Sequence, residues 1–221
     1  MARTGKGATS PSGRRETKKT TTRRRLILAG RRLFSDVGLY EARIEDLTEI
    51  AGVAKGTMYL YFRNKDDLVR AVIAAGYEEL SASIRECASG ENSFRVLLGR
   101  IVRTYARFFS ENPDMMRIFH QARGMLKFDR PEWRSFRAPL REHVSVLSET
   151  LRQAPSDLKR RDAARWNAAL AIFGCVSGIA SVQTALEPRQ ARRAFQRALV
   201  SRLSSLTASS YLSPRMRGRA V

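Results

Sequence analysis

The chain has 221 residues, enough for one large domain or two small ones, and 43% of them are hydrophobic. Its charge is unbalanced, because 41 Lys and Arg face 21 Asp and Glu, for a formal net charge of +20. Such an excess favours nucleic acid or an anionic membrane surface as a partner, although codon usage also contributes to an Arg bias of this size. Charge is spread along the chain, so it does not locate a binding surface.

The sparse cysteines and histidines exclude a recognisable metal site. Cys87 and Cys175 lie far apart at no metal-ligand spacing, and we expect reduced, partly buried thiols. His120 and His143 have no ligand-spaced neighbours. We find no catalytic Ser/His/Asp set and no phosphate loop, so the sequence indicates a protein that is not an enzyme and needs no cofactor.

The distribution of apolar residues predicts a soluble, cytoplasmic protein. No apolar run reaches the roughly 18 residues of a membrane span. The basic N-terminus is not followed by the apolar stretch of a secretory signal. Residues 1–22 contain almost no apolar side chains, which predicts a flexible basic arm. Such an arm either adds phosphate or minor-groove contacts or is a solvated tail.

The first apolar stripe begins after this arm, and it predicts a helix that Gly38 ends. Its members recur at steps of three and four: Leu26, Ile27, Gly30, Leu33, Phe34 and Val37. A second short helix is predicted up to Ala51, followed by a tight turn at Gly52 and a third helix over about 54–61. We expect Asn64 to cap a long fourth helix, with Asp67 in the capping-box position.

Every later segment again has helical periodicity, so we predict an all-α fold. The predicted domains are the arm, a DNA-binding domain over 23–80, a C-terminal domain over 81–213 and a basic tail over 214–221. The most apolar stretch is 162–186, which Pro188 ends, and a last amphipathic helix is predicted over 190–210.

The stretch AGVAKGTMYLYFRNKDDL resembles the signature of the TetR family of transcriptional regulators. The resemblance covers about residues 20–80, with the helix-turn-helix at about 43–62. It implies a three-helix DNA-binding domain followed by a helical domain for ligand binding and dimerisation. The C-terminal 140 or so residues carry no motif that we can match.

The recognition helix should begin with residues that allow close approach to the major groove. Lys55 can reach a guanine edge or a phosphate, and the family's phosphate-contacting tyrosines correspond to Tyr59 and Tyr61. Alternatively, either tyrosine is a half-buried aromatic and Thr57 faces solvent. The predicted DNA-binding residues are Arg43, Lys55, Gly56, Thr57, Tyr59, Tyr61 and Lys65.

Three positions depart from the family pattern. Ala54 replaces the usual Ser cap, with the loss of a hydrogen bond worth about 1 kcal/mol. Thr48 occupies a position usually held by Ala, and Ala42 one where Thr is common. These differences put the phosphate contacts at the start of the second helix in doubt, and Arg43 is the candidate to supply one.

The C-terminal domain should provide a dimer interface, because such proteins bind DNA as symmetric dimers. The small residues Gly174, Gly178 and Ser181 indicate close helix packing there, unless the helix belongs to the monomer core. The resemblance also implies a small-molecule pocket, whose candidate residues are equally compatible with plain core. These candidates are Tyr105, Phe109, Met116, Phe119, Trp133 and Trp166.

The sequence thus predicts a homodimeric, sequence-specific regulator that binds a palindromic operator in double-stranded DNA. By resemblance, it is a repressor that an unidentified small-molecule effector releases from DNA. The alternative is a non-specific basic DNA-coating protein, which the net charge also fits.

Overall fold

A computed structural model describes residues 11–88, 94–126, 131–153 and 162–186. The side chains of 11–18, 131–133 and 183–186 lie outside this description. Within these ranges the fold is all-α, as predicted. The chain divides into two compact units, unit 1 over Met1–Val72 and unit 2 over Ile73–Val221. The sequence predicted the corresponding boundary at residue 80.

The described residues form eight α-helices and one short 3-10 helix, joined by turns. The first four are α1 (Pro11–Val37), α2 (Ile44–Ala51), α3 (Lys55–Tyr59) and α4 (Lys65–Cys87). The next two are α5 (Phe94–Glu111) and α6 (Pro113–Met125). A 3-10 helix (Pro131–Phe136), α7 (Arg137–Arg152) and α8 (Asp162–Leu186) follow. The predicted helix over 190–210 and the stop at Pro188 lie outside the described residues.

Helix α1 begins twelve residues before its predicted start, so residues 11–22 are helical where a flexible arm was expected. This stretch contains the helix formers Arg, Lys and Glu but no apolar stripe, and periodicity therefore could not reveal it. Residues 19–21 and 23–25 are exposed. The sequence was also wrong about Val37, which is exposed at the end of the stripe.

The core of unit 1 forms where α1 packs against α2. Leu26, Phe34 and Leu47 are buried there. Two glycines have the positive φ values that the turns require, 93° at Gly38 and 61° at Gly52, as predicted. The apolar stripe of α1 and the chain reversals around α2 thus follow from the local sequence.

Polar side chains fix both ends of the helix-turn-helix. Arg25 of α1 donates from Nη2 to the Ala51 carbonyl at 2.6 Å, at the C-terminal end of α2. The Asn64 Oδ1 accepts from the Asp67 N–H at 2.9 Å, which confirms Asn64 as a cap of α4. The Asp67 carboxylate accepts from the Arg63 N–H instead of completing a capping box with Asn64.

The core of unit 2 lies where α8 packs against α5, α6 and α7. It is aromatic: the rings of Tyr77 and Phe119 stack with centroids 4.0 Å apart. Tyr105 and His143 are buried beside them, and Phe173 of α8 contacts both rings. Helices from separate parts of the sequence thus contribute to one cluster.

Helix α8 is apolar on two sides. Ala169, Phe173 and Val176 are buried, whereas Leu170 and Val182 are exposed. In the part of the chain that is described, the stretch Asp162–Val182 has the length and mean hydropathy (1.3) to cross a membrane, with 33% of that window buried. The expectation that no stretch would reach this length was wrong, although core helices of soluble proteins share this composition.

Both cysteines are free thiols. Cys87 is half-buried near the end of α4, as expected, but Cys175 is exposed on α8. The expectation of a partly buried Cys175 was therefore wrong, because the apolar composition of this helix is not confined to its inner face.

Candidate nucleic-acid interface

Helix α3 has one buried residue and an open outer surface. Met58 is buried and anchors the helix against the core of unit 1. Lys55, Gly56 and Tyr59 are exposed, and Thr57 is intermediate. A Cβ atom built at Gly56 would meet no atom within 4 Å. The first turn of α3 can therefore be approached closely, which a helix that reads the major groove needs.

An ion pair ties Lys55 to helix α2. The Lys55 Nζ lies 2.5 Å from the Glu45 Oε1, and both side chains are more than half exposed. Their hydrogen bond raises the pKa of Lys55 and lowers that of Glu45, so both groups stay charged at neutral pH. Glu45 thus binds the ammonium group that was predicted to contact a base or a phosphate.

The end of α3 presents aromatic and apolar side chains to solvent. Tyr59 is 47% exposed and Leu60 is 79% exposed, whereas Tyr61 is intermediate. Phe62 is buried, with the Arg23 guanidinium 5.3 Å from its ring centroid. Phe62 thus lies against Arg23 of α1, and Leu60 is a further exposed residue next to the predicted recognition helix.

Lys65 has a structural role that the sequence did not reveal. Its Nζ donates to the Tyr40 carbonyl at 2.9 Å and to the Ala42 carbonyl at 3.1 Å. These bonds tie the start of α4 to the segment between α1 and α2. A phosphate contact from Lys65 stays a prediction, and it would have to coexist with these bonds or replace them.

The departures from the family pattern each have a local consequence. Thr48 is buried, and its hydroxyl donates to the Glu45 carbonyl at 3.0 Å, which satisfies the extra polar group. Ala42 is buried, and the N-cap of α2 is Arg43, which is exposed and makes no capping bond with its side chain. Ala54 is the N-cap of α3 and likewise makes no side-chain bond.

Arg25 also positions the interface, and sequence reasoning missed it. Its guanidinium lies 2.9 Å from where a Cβ at Gly52 would stand, in addition to its bonds to the backbone there. Glycine is favoured at position 52 by the positive φ, and a Cβ there would also displace the guanidinium end of Arg25. The signal was available as an Arg on the exposed side of α1, but spacing alone does not indicate its partner.

The residues predicted to line a ligand pocket lie mostly within the core of unit 2. Tyr105, Phe109, Met116 and Phe119 are all buried. Trp166 is intermediate and lines a cavity of about 420 Å³ between α7 and α8. The side chain of Trp133 lies outside the described residues. The structure thus separates Trp166 from the buried aromatic set.

His143 is the polar centre of this aromatic core. The Ser81 Oγ lies 2.8 Å from its Nδ1, and the Tyr105 hydroxyl lies 2.7 Å from its Nε2. Burial lowers the pKa of His143 to about 3, with a smaller effect from Arg85. The imidazole is therefore neutral at pH 7, and both of its nitrogens have hydrogen-bond partners.

The predicted interface residues lie along α8 in mixed environments. Gly174 is exposed and Gly178 is intermediate, and a Cβ at either position would meet no atom within 4 Å. The Ser181 Oγ lies 2.7 Å from the His120 Nδ1 of α6. The two glycines thus leave an open strip on the surface of the unit. Ser181, in contrast, is hydrogen-bonded to a residue of the same unit.

Comparison with known proteins connects the N-terminal region to a family. Residues 26–72 match the model of the bacterial regulatory proteins of the tetR family. The HTH-type transcriptional regulator UidR of Escherichia coli strain K12 is 27% identical over 110 residues, 50% of this chain and 55% of that protein. The chain thus spans about half the length of the curated relatives that it matches.

Solved structures share the fold over a much longer stretch. The fatty acid degradation regulator FadR of Bacillus halodurans has a TM-score of 0.68 at 18% identity, over 96% of this chain and all of that one. FadR of Bacillus subtilis, solved with stearoyl-CoA, has a TM-score of 0.67 at 17% identity, over 82% and 97% of the two chains. At these identities the likeness describes the fold alone.

Proposed function

The chain belongs to the TetR family of bacterial regulatory proteins, and from this premise we propose that it is a sequence-specific regulator of transcription. The proposed protein acts in the cytoplasm as a homodimer on a palindromic operator. The matched relative UidR is a transcriptional regulator, and the proposal contains no catalytic step.

The open outer surface of α3 carries this proposal. Lys55, Gly56 and Tyr59 are exposed around a first turn that nothing obstructs, while Met58 holds the helix to its unit. A long side chain at the start of the helix reaches base edges, and tyrosine hydroxyls bind phosphates that set the register. A protein that coats DNA non-specifically would need the positive charge, but it would not need a helix with an unobstructed first turn.

Selection of bound sites from a random duplex library at physiological salt tests the proposal. We expect an enriched palindrome whose half-sites lie roughly 34–36 Å apart or a multiple of that distance. Enrichment should be lost when Lys55 and Tyr59 are both replaced by Ala. Uniform retention of all sequences, with strong salt dependence, would instead support the non-specific DNA-coating protein.

The exposed side of α8 supports the proposed dimer. Leu170 and Val182 are exposed on the same helix as the open strip at Gly174 and Gly178. Small residues let two helices approach closely, and exposed apolar side chains lose their contact with water when a second copy covers them. We propose that two α8 helices meet along this side.

Sedimentation of the variant Leu170→Glu tests this interface. Leu170 is 45% exposed, so its replacement should leave the fold of the unit intact but convert the dimer to a monomer. The matched control is Leu28→Glu, which changes a leucine of similar exposure on α1. An unchanged dimer in Leu170→Glu would remove α8 from the proposed interface.

The proposed regulation is release of DNA by a small molecule bound in unit 2. The structural neighbour from Bacillus subtilis was solved with stearoyl-CoA, which supports a ligand-binding role for a fold of this kind. Repression follows from occlusion of a promoter by the bound dimer. Release requires the ligand to bind the DNA-incompetent state more tightly than the competent one.

A further inference from the structure

Three arginines of α5 surround one cavity at the end of α4. The cavity has a volume of about 600 Å³, and its lining includes Arg100, Arg103 and Arg107. These residues are three and four positions apart, so their side chains leave the same face of the helix. Glu86 is the one carboxylate among the lining residues, which leaves an excess of two positive charges there.

Three other residues that line this cavity are small and are buried or half-buried. Thr104 and Ala106 are buried, and Cys87 is half-buried. The Cys87 thiol donates to the Ile84 carbonyl at 3.2 Å and is also hydrogen-bonded to the Thr104 side chain. The polar groups of Cys87 and Thr104 therefore have hydrogen-bond partners, while the arginines supply the positive charge of the cavity.

Two of the three arginines at the cavity have no acidic partner among the described residues. Arg103 and Arg107 are exposed, and neither makes an ion pair within the described residues. Burial raises the pKa of the Cys87 thiol, whereas the hydrogen bond to Thr104 and, to a smaller extent, the charges of the three arginines oppose that rise. Like charges at this spacing repel each other along a helix, and a bound anion would relieve the repulsion.

We propose that this cavity binds a small organic anion through its phosphate or carboxylate group. Guanidinium groups bind such oxygens in pairs, and three of them on one helix face can enclose a multiply charged group. The volume falls in the range of small-molecule sites, so it accommodates more than an inorganic ion. This site is distinct from the buried aromatic residues predicted to line an effector pocket, and its occupancy does not presuppose DNA binding.

The first experiment measures binding of inorganic pyrophosphate to the full-length protein by calorimetry. We expect saturable binding to the wild type and at least a tenfold weaker affinity in the double variant Arg103→Gln, Arg107→Gln. The matched control is Arg141→Gln, which removes an exposed charge of α7 outside the cavity and should bind as the wild type does. No binding to the wild type, or equal loss in the control, would overturn the proposal.

Alkylation of the Cys87 thiol tests whether the anion binds in this cavity. In a Cys175→Ser background, iodoacetamide alkylates the one remaining thiol, and mass spectrometry follows the rate. Saturating pyrophosphate should slow this reaction several-fold, and the double variant should lose the protection. Protection by random duplex DNA but not by pyrophosphate would make the arginines part of a DNA surface and overturn the proposal. Neither readout uses an operator, so failure here leaves the proposed regulator unaffected.

Discussion

Helices α3 and α5 carry residues that the sequence assigned to binding, but the two helices present them differently. On α3, Lys55 and Tyr59 are exposed, and the surface around Gly56 is open. On α5, Tyr105 and Phe109 are buried against other aromatic side chains. The exposed side chains of α3 contribute little to the stability of unit 1, whereas the buried aromatic side chains of α5 stabilise unit 2. Substitutions in the two regions should therefore separate DNA binding from stability.

The largest expected effect is on the aromatic core. Replacement of Phe119 by Ala removes a buried ring that stacks on Tyr77, and it should lower the free energy of unfolding by about 3–5 kcal/mol. Tyr59→Ala should change it by less than about 0.5 kcal/mol but abolish operator binding. Urea denaturation of both variants checks this contrast. Similar losses of stability would contradict the difference between the two regions.

A pH-dependent loss of stability should arise from His143. Its pKa is about 3 when folded and near 6.5 when unfolded, so between these values the unfolded state binds more protons. Stability is then fully present above pH 6.5 and falls as the pH decreases towards 3. From pH 7 to pH 5 the wild type should lose about 2 kcal/mol more than His143→Gln. Parallel losses in urea denaturation would show that the histidine is not buried in its neutral form.

Gly56→Ala should increase the stability of the protein but weaken its binding to the operator. The added methyl group meets no atom of the protein and replaces a glycine within a helix, so stability should increase by up to about 0.5–1 kcal/mol. If α3 enters the major groove, the same methyl group should weaken operator binding about tenfold, or by about 1.4 kcal/mol. Thermal unfolding and fluorescence anisotropy measure the two effects, and undiminished affinity would remove Gly56 from the interface.

Restoring the missing cap of α3 should stabilise unit 1 alone. Ala54 is at the N-cap without a side-chain hydrogen bond, and Ser at this position should add about 1 kcal/mol to the free energy of unfolding. The control Ala88→Ser changes a buried alanine at the end of α4 and should not be stabilising. A gain in both variants would show that the cap is not its source.

The smallest effect concerns the ion pair between Lys55 and Glu45. Glu45→Gln frees the ammonium, and affinity for random duplex DNA should rise a few-fold, with the salt dependence steeper by about one counterion. Glu49→Gln, which changes another exposed carboxylate of α2, is the control. Equal gains in both variants would mean that net charge, rather than the pairing of Lys55, sets this affinity.

The sequence predicted local features of unit 1 well, because they depend on residues close together in the chain. The turn at Gly52, the cap at Asn64 and the end of α2 at Ala51 are all determined within a few residues. The bonds of Arg25 and Lys65 were missed, since their partners lie more than twenty positions away. The start of α1 was missed because residues 11–22 have no apolar periodicity that would indicate a helix.

In unit 2 the sequence predicted helices but not their contacts. Aromatic spacing on α5 and α6 indicates a buried face, yet it cannot distinguish a packed core from the wall of a cavity. The hydrogen bonds of His143 join residues 62 and 38 positions away, and no local pattern reveals them. The same holds for the arginine-lined cavity, which exists because the end of α4 meets the middle of α5.

The central claim is that α3 reads a DNA sequence, and the ratio of two affinities tests it most directly. The dissociation constants of the full-length protein should be measured at physiological salt for the selected palindrome and for a scrambled duplex of equal length. We predict a preference of at least about 10³ for the palindrome, which falls steeply when Lys55 and Tyr59 are replaced by Ala. A ratio near one, unchanged in the variant, would contradict the account and identify a protein that coats DNA through its charge.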